Sequence, residues 1–240
     1  MPCNSIGGGG SAPMAAPPTT PAPITFSQMS MSDLDAMYDA QNLTPAQKKS
    51  CDKYVQSAKE PGTLYSLSQN MNYALVNNLP MSPAQAKTDQ NLSAAMHDIG
   101  GNYTLTRYDH QGQVDALLKQ NGLSGGYQNY TIDQLRNALI GTEFHEKKYL
   151  SSSIDDFAQS PQSSKSVFQT RSVKITYQTS SGTQCVVPGT GAGGNLGEVI
   201  LGKGQKQKIV GVNLTGKKAR AKGTQYFDRD QIELVIQIGD

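Results

Sequence analysis

Hydrophobic and polar positions change their spacing about two thirds of the way along the chain. From about residue 165 onward, short runs rich in aliphatic and β-branched residues are separated by Gly, Ser and Lys clusters, which is typical of strands. The last run alternates most clearly, with Ile232, Leu234, Ile236 and Ile238 on one face. The predicted strands cover residues 166–178, 183–187, 198–201, 207–214 and 231–238, and an earlier strand covers 103–108.

The first part of the chain carries a repeated signal for helix starts. Thr44, Ser82 and Thr131 are each followed three residues later by Gln, which is the capping-box pattern, and Pro follows the first two at the first helical position. Helices that precede strands favour an α+β domain over an alternating parallel sheet. The predicted helices lie near residues 44–59, 83–98 and 131–140, with further helices over 64–79 and 113–120.

The N-terminus differs in composition from the rest of the chain. Residues 1–32 contain no charged side chain, and they include four consecutive glycines at 7–10 and five prolines between 13 and 23. Such a segment buries too little apolar surface to offset its chain entropy. We therefore expect a disordered arm over residues 1–40 and a folded domain over 41–240. The arm lacks the basic start and apolar core of a secretory signal, so it is either a passive tail, or a tether or export address for another route.

Bulk composition argues against several classes of protein. The formal net charge is only +2 over 240 residues, and no apolar run reaches the length of a membrane-spanning helix. The three cysteines are odd in number and far apart, which fits free thiols better than a disulfide framework. The three histidines lack metal-ligand spacing, so we predict no metal site.

Three short pieces carry the candidate chemistry. Arg107 lies in a predicted strand, where its planar guanidinium can present two N–H groups to phosphate oxygens. Ser151 begins a triplet of serines, whose hydroxyls both donate and accept hydrogen bonds. Glu198 starts a predicted strand after a glycine-rich loop. Taken singly, each piece fits a surface arginine, a polar turn or a solvated carboxylate better than a site. Only their order along the chain and their local contexts indicate that they form a functional site.

The glycine-rich loop contains a formal G-x-G-x-x-G match at Gly189, Gly191 and Gly194. A dinucleotide-binding loop of that type has to lie between a strand and a helix. Here Pro188 interrupts the connection, and the residues after the loop predict a strand. We therefore interpret the loop as a segment that delivers Glu198 to a site.

In these contexts, the region from residue 44 to 240 resembles an ADP-ribosyltransferase domain of the arginine–serine–glutamate class. That class includes clostridial C3-like exoenzymes, binary actin-modifying toxins and domains of phage virion proteins. Residues 144–153 (FHEKKYLSSS) are similar to the family pattern F-x-E-K-G-F-x-S-T-S, and residues 189–192 (GTGA) to Gly-Thr-x-Gly/Ala. Residues 198–209 match the strand that starts with the glutamate, and residues 69–76 resemble the helix before the arginine. The resemblance implies two packed, mostly antiparallel sheets with N-terminal helices.

The resemblance also implies a mechanism. NAD, as substrate, is cleaved between nicotinamide and ribose through an oxocarbenium-like transition state, which a nearby carboxylate stabilises. Glu198 would take that role and hydrogen-bond the ribose. Ser151 would hold Glu198 and the nicotinamide ribose, and Arg107 would hold the phosphates. Ser153 is a further candidate for NAD binding, and no metal is required.

Two further positions concern the nicotinamide and the acceptor. In the family an aromatic residue after the serine triplet often packs over the nicotinamide; Phe168 is the first candidate and Phe157 the second. Many members carry Glu or Gln two residues before the catalytic glutamate to position the acceptor, but this chain has Leu196 there. A leucine neither activates a guanidinium nor hydrogen-bonds an amide. The acceptor is then chosen differently, or the enzyme mainly hydrolyses NAD, or Asn195 serves instead.

The expected function is mono-ADP-ribosylation of an unidentified host protein by a bacterial or phage effector, with NAD glycohydrolysis as a side activity. Such a protein is secreted, delivered into a host cell or carried in a virion, with a cytoplasmic location as the alternative. The second hypothesis is a catalytically silent relative that is an accessory part of a larger assembly such as a phage virion. The third is nucleic-acid binding through the basic stretch 203–222, although a solvated hairpin face explains that stretch more simply.

Overall fold

Helices and strands follow each other in the order expected of an α+β domain. The computed structural model describes residues 24–56, 58–154, 171–188, 197–219 and 229–239. Within these ranges the helices are α1 Met31–Ala40, α2 Pro45–Val55, α3 Leu67–Asn77, α4 Pro83–Ala95, α5 Gly112–Gln120 and α6 Ile132–Leu139, with a 3₁₀ turn at Tyr127–Asn129. The strands are β1 Ser27–Gln28, β2 His97–Asp98, β3 Tyr103–Asp109, β4 Glu143–His145, β5 Leu150–Ser153, β6 Val173–Thr179, β7 Gln184–Val186, β8 Glu198–Leu201, β9 Lys206–Ala219 and β10 Arg229–Ile238.

The strands form one hydrogen-bonded path in the order β2-β7-β8-β5-β3-β6-β10-β9-β4, and β1 pairs with β3 off this path. Most neighbours are antiparallel; the parallel pairs in the described residues are β1–β3 and β6–β10. Strands β3 and β5 are in register at Thr106 and Ser153, where the two halves of the path meet. The predicted α+β class and the mostly antiparallel pairing are confirmed, and the described strands form one continuous ten-stranded sheet where two packed sheets were predicted.

Capping boxes start five of the helices in the described chain. The three predicted from Thr44, Ser82 and Thr131 are present, each with the side-chain oxygen accepting from the N–H of the third helical residue. Helices α2 and α4 end before their predicted limits, because Gln56 and Met96 adopt extended backbone angles. Two further capping boxes, at the starts of α1 and α3, went unnoticed in the sequence.

Residues 24–40 correct the predicted arm. They form β1 and α1 instead of a disordered segment, and their side chains contribute to the core. Met29 and Leu34 are 1% and 0% exposed, and β1 is hydrogen-bonded to β3. The absence of charge up to residue 32 was misleading, because a segment that pairs with an existing strand and buries two large side chains needs no charge to fold. Residues 1–23 of the predicted arm lie outside the described residues.

Two apolar clusters place the helices on different parts of the sheet. Helices α5 and α6 pack with β3, β6, β9 and β10 around residues such as Leu118, Leu139 and Leu234. Helices α2, α3 and α4 pack with β7 and β8 around residues such as Met71 and Ile200. The first cluster continues across the junction of β3 and β5, with Leu105 on β3, Leu150 on β5 and Val199 on β8. None of the described helices is long and apolar enough to cross a bilayer.

Candidate active site at the β3–β5 junction

Arg107, Ser151 and Glu198 lie on three neighbouring strands, β3, β5 and β8. Arg107 Nη1 donates a hydrogen bond of 2.8 Å to the carbonyl oxygen of Ser151. The Ser151 side chain is hydrogen-bonded to the carboxyl group of Glu198. The structure thus brings together on neighbouring strands three residues that are far apart in sequence.

A cleft of about 580 Å³ opens beside this chain of residues. Arg107 and Ser151 line it, together with Arg171 from the start of the segment that leads to β6. Glu198 lies one strand beyond Ser151, at the start of β8. The remaining lining residues come mainly from α2, α3 and the loop between them: Tyr54, Val55, Gln56, Lys59, Leu64, Ser66, Ser68, Gln69, Asn72, Asp109 and His110.

Arg107 is held by a carboxylate that the sequence analysis did not single out. Asp109 Oδ2 accepts hydrogen bonds from Arg107 Nε at 3.1 Å and Nη2 at 3.0 Å. Burial alone lowers the pKa of Arg107, but the negative groups around it, Asp109 first, outweigh burial and raise that pKa above its ordinary value. Burial raises the pKa of Asp109, but the charges of Arg107 and Lys148 outweigh it and keep that pKa below the usual range. Both partners are therefore ionised at neutral pH.

The pKa of Glu198 is shifted in the direction opposite to that of Asp109. The side chain is partly buried, and this burial raises the pKa of its carboxyl group. The hydrogen bond from Ser151 and the charge of Arg107 lower the pKa, but they do not cancel the effect of burial. Glu198 therefore takes up a proton more readily than a free glutamate does, which suits a carboxylate that acts in a partly dry site.

Tyr54 and Asn72 connect the N-terminal helices to the site. The Tyr54 hydroxyl donates to the carbonyl oxygen of Tyr149 at 3.2 Å, and Asn72 Nδ2 donates to the Tyr54 hydroxyl at 3.0 Å and to the same carbonyl at 3.2 Å. Burial raises the pKa of Tyr54 to about 12, so the hydroxyl stays protonated. Sequence spacing does not mark Tyr54, whereas Asn72 lies within residues 69–76, which had matched the family helix.

The other serines of the triplet are more enclosed than Ser151. Ser153 is 0% exposed and lies opposite both Thr106 and Glu198 in the sheet, and Ser152 is 4% exposed. Ser153 therefore contacts the strands that carry the arginine and the glutamate, and its role in binding NAD stays a prediction. The other predicted site positions, Phe168, Phe157, Leu196 and Asn195, lie outside the described residues, as does the glycine-rich loop.

A second cavity of about 530 Å³ lies beside the first, and both are lined by Asp109 and His110. Its polar wall includes Glu146, which is 9% exposed and accepts a hydrogen bond of 3.2 Å from Gln113 Nε2. Phe144 and Lys148 also line it. Asp109 and His110 therefore form part of the wall of both cavities.

The basic stretch is largely neutralised within the described residues. Lys203 pairs with Asp89, Lys206 and Lys208 both approach Glu143, and Lys218 pairs with Asp230. Lys206, Lys208, Lys217 and Lys218 lie on β9, which is longer than the predicted strand. Paired lysines offer less net charge to a polyanion, so this geometry does not favour the nucleic-acid hypothesis. No group of three or more potential metal ligands was found in the described part of the chain.

An α+β domain that connects an arginine, a serine and a glutamate from three neighbouring strands has the architecture of an ADP-ribosyltransferase. The family model of the ADP-ribosyltransferase exoenzyme matches residues 34–233, and the chain therefore belongs to that family. The match begins inside α1, which agrees with the folded state of residues 31–40. Comparison with curated proteins gave no match.

Solved structures show the same fold. The enzymatic component C2-I of the C2-toxin from Clostridium botulinum is 16% identical over 87% of this chain and 48% of that chain, with a TM-score of 0.61. The C3 exoenzyme of Clostridium limosum is 17% identical over 90% of this chain and 98% of that chain, with a TM-score of 0.59. C3stau2 from S. aureus, solved with NAD, is 12% identical over 90% of this chain and 98% of that chain, with a TM-score of 0.58. The predicted ADP-ribosyltransferase-like fold is thereby confirmed.

Proposed function

We propose that this protein is an NAD-dependent mono-ADP-ribosyltransferase that modifies a protein of a host cell, with NAD glycohydrolysis as a side activity. The observation that carries the proposal is the hydrogen-bonded connection of Arg107, Ser151 and Glu198 beside one cleft. Membership of the exoenzyme family supports transfer of ADP-ribose. The relative solved with NAD supports this dinucleotide as the substrate.

Glu198 is the residue that stabilises the reacting centre in this proposal. Departure of nicotinamide leaves positive charge on the ribose, and a carboxylate beside the ribose lowers the energy of that charge, more strongly in a partly buried site than in water. Ser151 fixes the carboxylate by the hydrogen bond between them. Only ionised Glu198 can act in this way, so its raised pKa sets the acid limit of activity.

The positive groups of the cleft are suited to the pyrophosphate. Arg107 and Arg171 both line the first cavity, and Arg171 Nη1 is anchored to the carbonyl oxygen of Tyr108 at 2.8 Å. Two arginines from one wall can share the oxygens of two phosphates. The nicotinamide half then lies toward Ser151, and the adenosine half extends past Asp109 into the second cavity. Cavities of about 580 and 530 Å³ are in the range that holds small ligands.

The rim of the cleft supports a protein acceptor in addition to water. Residues 61–86 contain no charged side chain. Five large hydrophobic side chains in this stretch are exposed: Leu64, Tyr65, Tyr73, Val76 and Leu79. Leu64 lines the first cavity and Val76 the second, so the exposed apolar residues border the mouth of the proposed NAD site. Exposed apolar groups beside a site are typical of protein contact surfaces.

The relatives also guide the proposed setting. The C2-I component belongs to a toxin, as its title states, and Plx2a from Paenibacillus larvae is likewise described as an ADP-ribosyltransferase toxin, 16% identical over 86% of this chain and 92% of that chain. We infer that this protein is secreted or delivered into a host cell. Transfer assays on a host lysate identify the target protein and the acceptor residue.

Release of nicotinamide from NAD tests the enzymatic part of the proposal. We expect wild-type protein to release nicotinamide and Glu198→Gln to lose about 10²- to 10³-fold in rate, because a neutral amide does not stabilise the developing charge. Calorimetry should still detect NAD binding to the variant. Glu143→Gln is the matched control, since Glu143 is exposed on β4 and pairs with lysines away from the cleft. Wild-type protein that neither binds millimolar NAD nor releases nicotinamide would favour the silent accessory protein.

Transfer of biotin-labelled ADP-ribose to proteins of a host lysate tests the acceptor part. We expect the double variant Tyr73→Ser, Leu79→Ser, whose side chains are exposed and line neither cavity, to release nicotinamide at the wild-type rate but to label its target at least about tenfold more slowly, because only docking is affected. Val210→Ser, which removes a partly exposed side chain on β9, serves as the control. Equal losses of hydrolysis and labelling in the double variant would contradict a docking role for this surface.

A further inference from the structure

Asp109 accepts three hydrogen bonds in the described structure, two from Arg107 and one from the backbone of His110. Its Oδ2 accepts from Arg107 Nε and Nη2, and its Oδ1 accepts the backbone N–H of His110 at 2.8 Å. The side chains of Arg107 and Asp109 are 20% and 18% exposed, so solvent competes little with these bonds. These hydrogen bonds fix the orientation of the Asp109 carboxylate, and the carboxylate in turn fixes the orientation of the Arg107 guanidinium.

The hydrogen bonds of Arg107 leave one edge of its guanidinium for a ligand. A guanidinium has five N–H donors. Asp109 takes two of them, on Nε and Nη2, and the carbonyl oxygen of Ser151 takes a third, on Nη1. The two remaining donors belong to Nη1 and Nη2. Since Arg107 lines the cleft, these two donors are the ones left for a ligand that enters it.

Ser151 connects Arg107 to Glu198. Arg107 is bonded to the Ser151 carbonyl oxygen, and the Ser151 side chain is bonded to the Glu198 carboxyl. Backbone register between β3 and β5 is described at the single pair Thr106–Ser153. The hydrogen bond from the Arg107 side chain to the Ser151 carbonyl oxygen therefore does much to fix the position of Ser151 relative to Arg107. A change at Asp109 is expected to disturb Arg107, then Ser151 and then the carboxylate.

We propose that Asp109 is a positioning residue for the reaction: it holds Arg107 so that the arginine faces the phosphates and, through Ser151, fixes the orientation of Glu198. This inference rests on the proposed function. It assigns Asp109 no contact with the reacting atoms. It also explains why a cleft that takes a dianionic pyrophosphate contains a carboxylate, since the carboxylate orients Arg107. Arg171, which lines the same cleft, supplies further positive charge for the pyrophosphate.

Asp109→Asn tests the inference, because asparagine has one acceptor oxygen where aspartate has two. Whichever way the amide turns, its NH₂ group meets either the N–H groups of Arg107 or the N–H of His110. We expect kcat for nicotinamide release to fall about 10- to 100-fold, as misplacement of reacting groups does. The KM for NAD and the Kd for ADP-ribose should not weaken, since the charge of Arg107 is then uncompensated.

Asp133→Asn is the matched control. Asp133 pairs with Arg136 at 3.1 Å, a distance similar to that in the Asp109–Arg107 pair, but the pair lies on the exposed surface of α6. It should leave kcat, KM and Tm unchanged. If Asp109→Asn keeps wild-type kcat, the inference is overturned. Joint loss of kcat, ADP-ribose affinity and Tm would also overturn it, because that pattern indicates a merely structural role.

A spectroscopic measurement separates failure of this inference from failure of the proposed function. The chain has five arginines, so its arginine Nε–H region in a ¹H–¹⁵N spectrum is simple, and the Arg107 signal is assigned by its absence in Arg107→Lys. We expect a protected Nε–H signal that Asp109→Asn abolishes. An unchanged signal overturns the inference whether or not the protein is active. Wild-type protein without NAD binding or cleavage overturns the proposed function, and the positioning role with it.

Discussion

The strands around β10 and the strands at the junction of β3 and β5 are connected by different kinds of hydrogen bond. In the half around β10, long backbone ladders join the strands: β10 is in register with β6 from Ile232 to Ile238 and with β9 over most of its length. At the junction of β3 and β5, the described register is the pair Thr106–Ser153, and side chains supply the other connections. A ladder depends little on which side chains its residues carry, whereas the junction depends on three or four particular ones. The candidate site lies at the junction.

Burial differs between these regions in the same way. Leu234 and Ile236 on β10 are 0% exposed and pack in an apolar cluster. The side chains of Arg107 and Asp109 on β3 are 20% and 18% exposed, and their opposite charges satisfy each other. Removing an apolar group from β10 leaves a cavity, while removing one partner at the junction leaves an unpaired charge beside the cleft. The first change should act on stability alone, and the second on function as well as on stability.

Truncation of the β10 core should have the largest effect on stability. We expect Leu234→Ala to lower the free energy of unfolding by about 2–5 kcal/mol, because it removes a buried side chain and leaves a cavity. Urea denaturation measures the loss, and Val210→Ala on the neighbouring strand, where Val210 is 37% exposed, should cost less than about 0.5 kcal/mol. Activity per folded molecule should be unchanged. A selective loss of activity in Leu234→Ala would remove the distinction between the two regions.

A smaller effect is expected where the N-terminal helices meet the junction. Tyr54→Phe removes the hydroxyl that bonds the Tyr149 carbonyl oxygen and Asn72, which should cost about 1 kcal/mol of stability. The ring remains, and Asn72 keeps its own bond to the carbonyl. Denaturation of Tyr54→Phe and of the exposed variant Tyr65→Phe gives the difference. No difference between them would mean that Tyr54 contributes packing alone.

The smallest effect concerns the pH dependence of stability at Glu198. Its folded-state pKa is raised above that of the unfolded chain, so its contribution to stability is fully present below the ordinary glutamate pKa and is lost as pH rises through the raised value. We therefore expect Glu198→Gln to have a slightly higher Tm than wild type at neutral pH, although it is inactive. The difference should disappear as the pH falls through that window. A Tm difference independent of pH would contradict the assigned cause.

Local signals in the sequence were sufficient for many elements and insufficient for others. Three capping boxes located helix starts correctly, because the cap is made by residues three apart in sequence. Strand β1 was not predicted, because two residues are too few to show an alternation of hydrophobic and polar positions. Its partner strand begins 76 positions later in the sequence. Asp109 was detectable in principle, since residues two apart on a strand share a face and Asp109 follows Arg107 at that spacing.

The sequence by itself determined the α+β class, the helix starts, the family resemblance and the identity of Arg107, Ser151 and Glu198 as candidates. These features depend on short-range chemistry: caps, alternation and motif order. Only the tertiary structure decided that residues 24–40 belong to the fold and that Tyr54 and Asn72 connect two helices to Tyr149, the residue before β5. Both depend on where elements distant in sequence come together. The burial that raises the pKa of Glu198 exists only after they do.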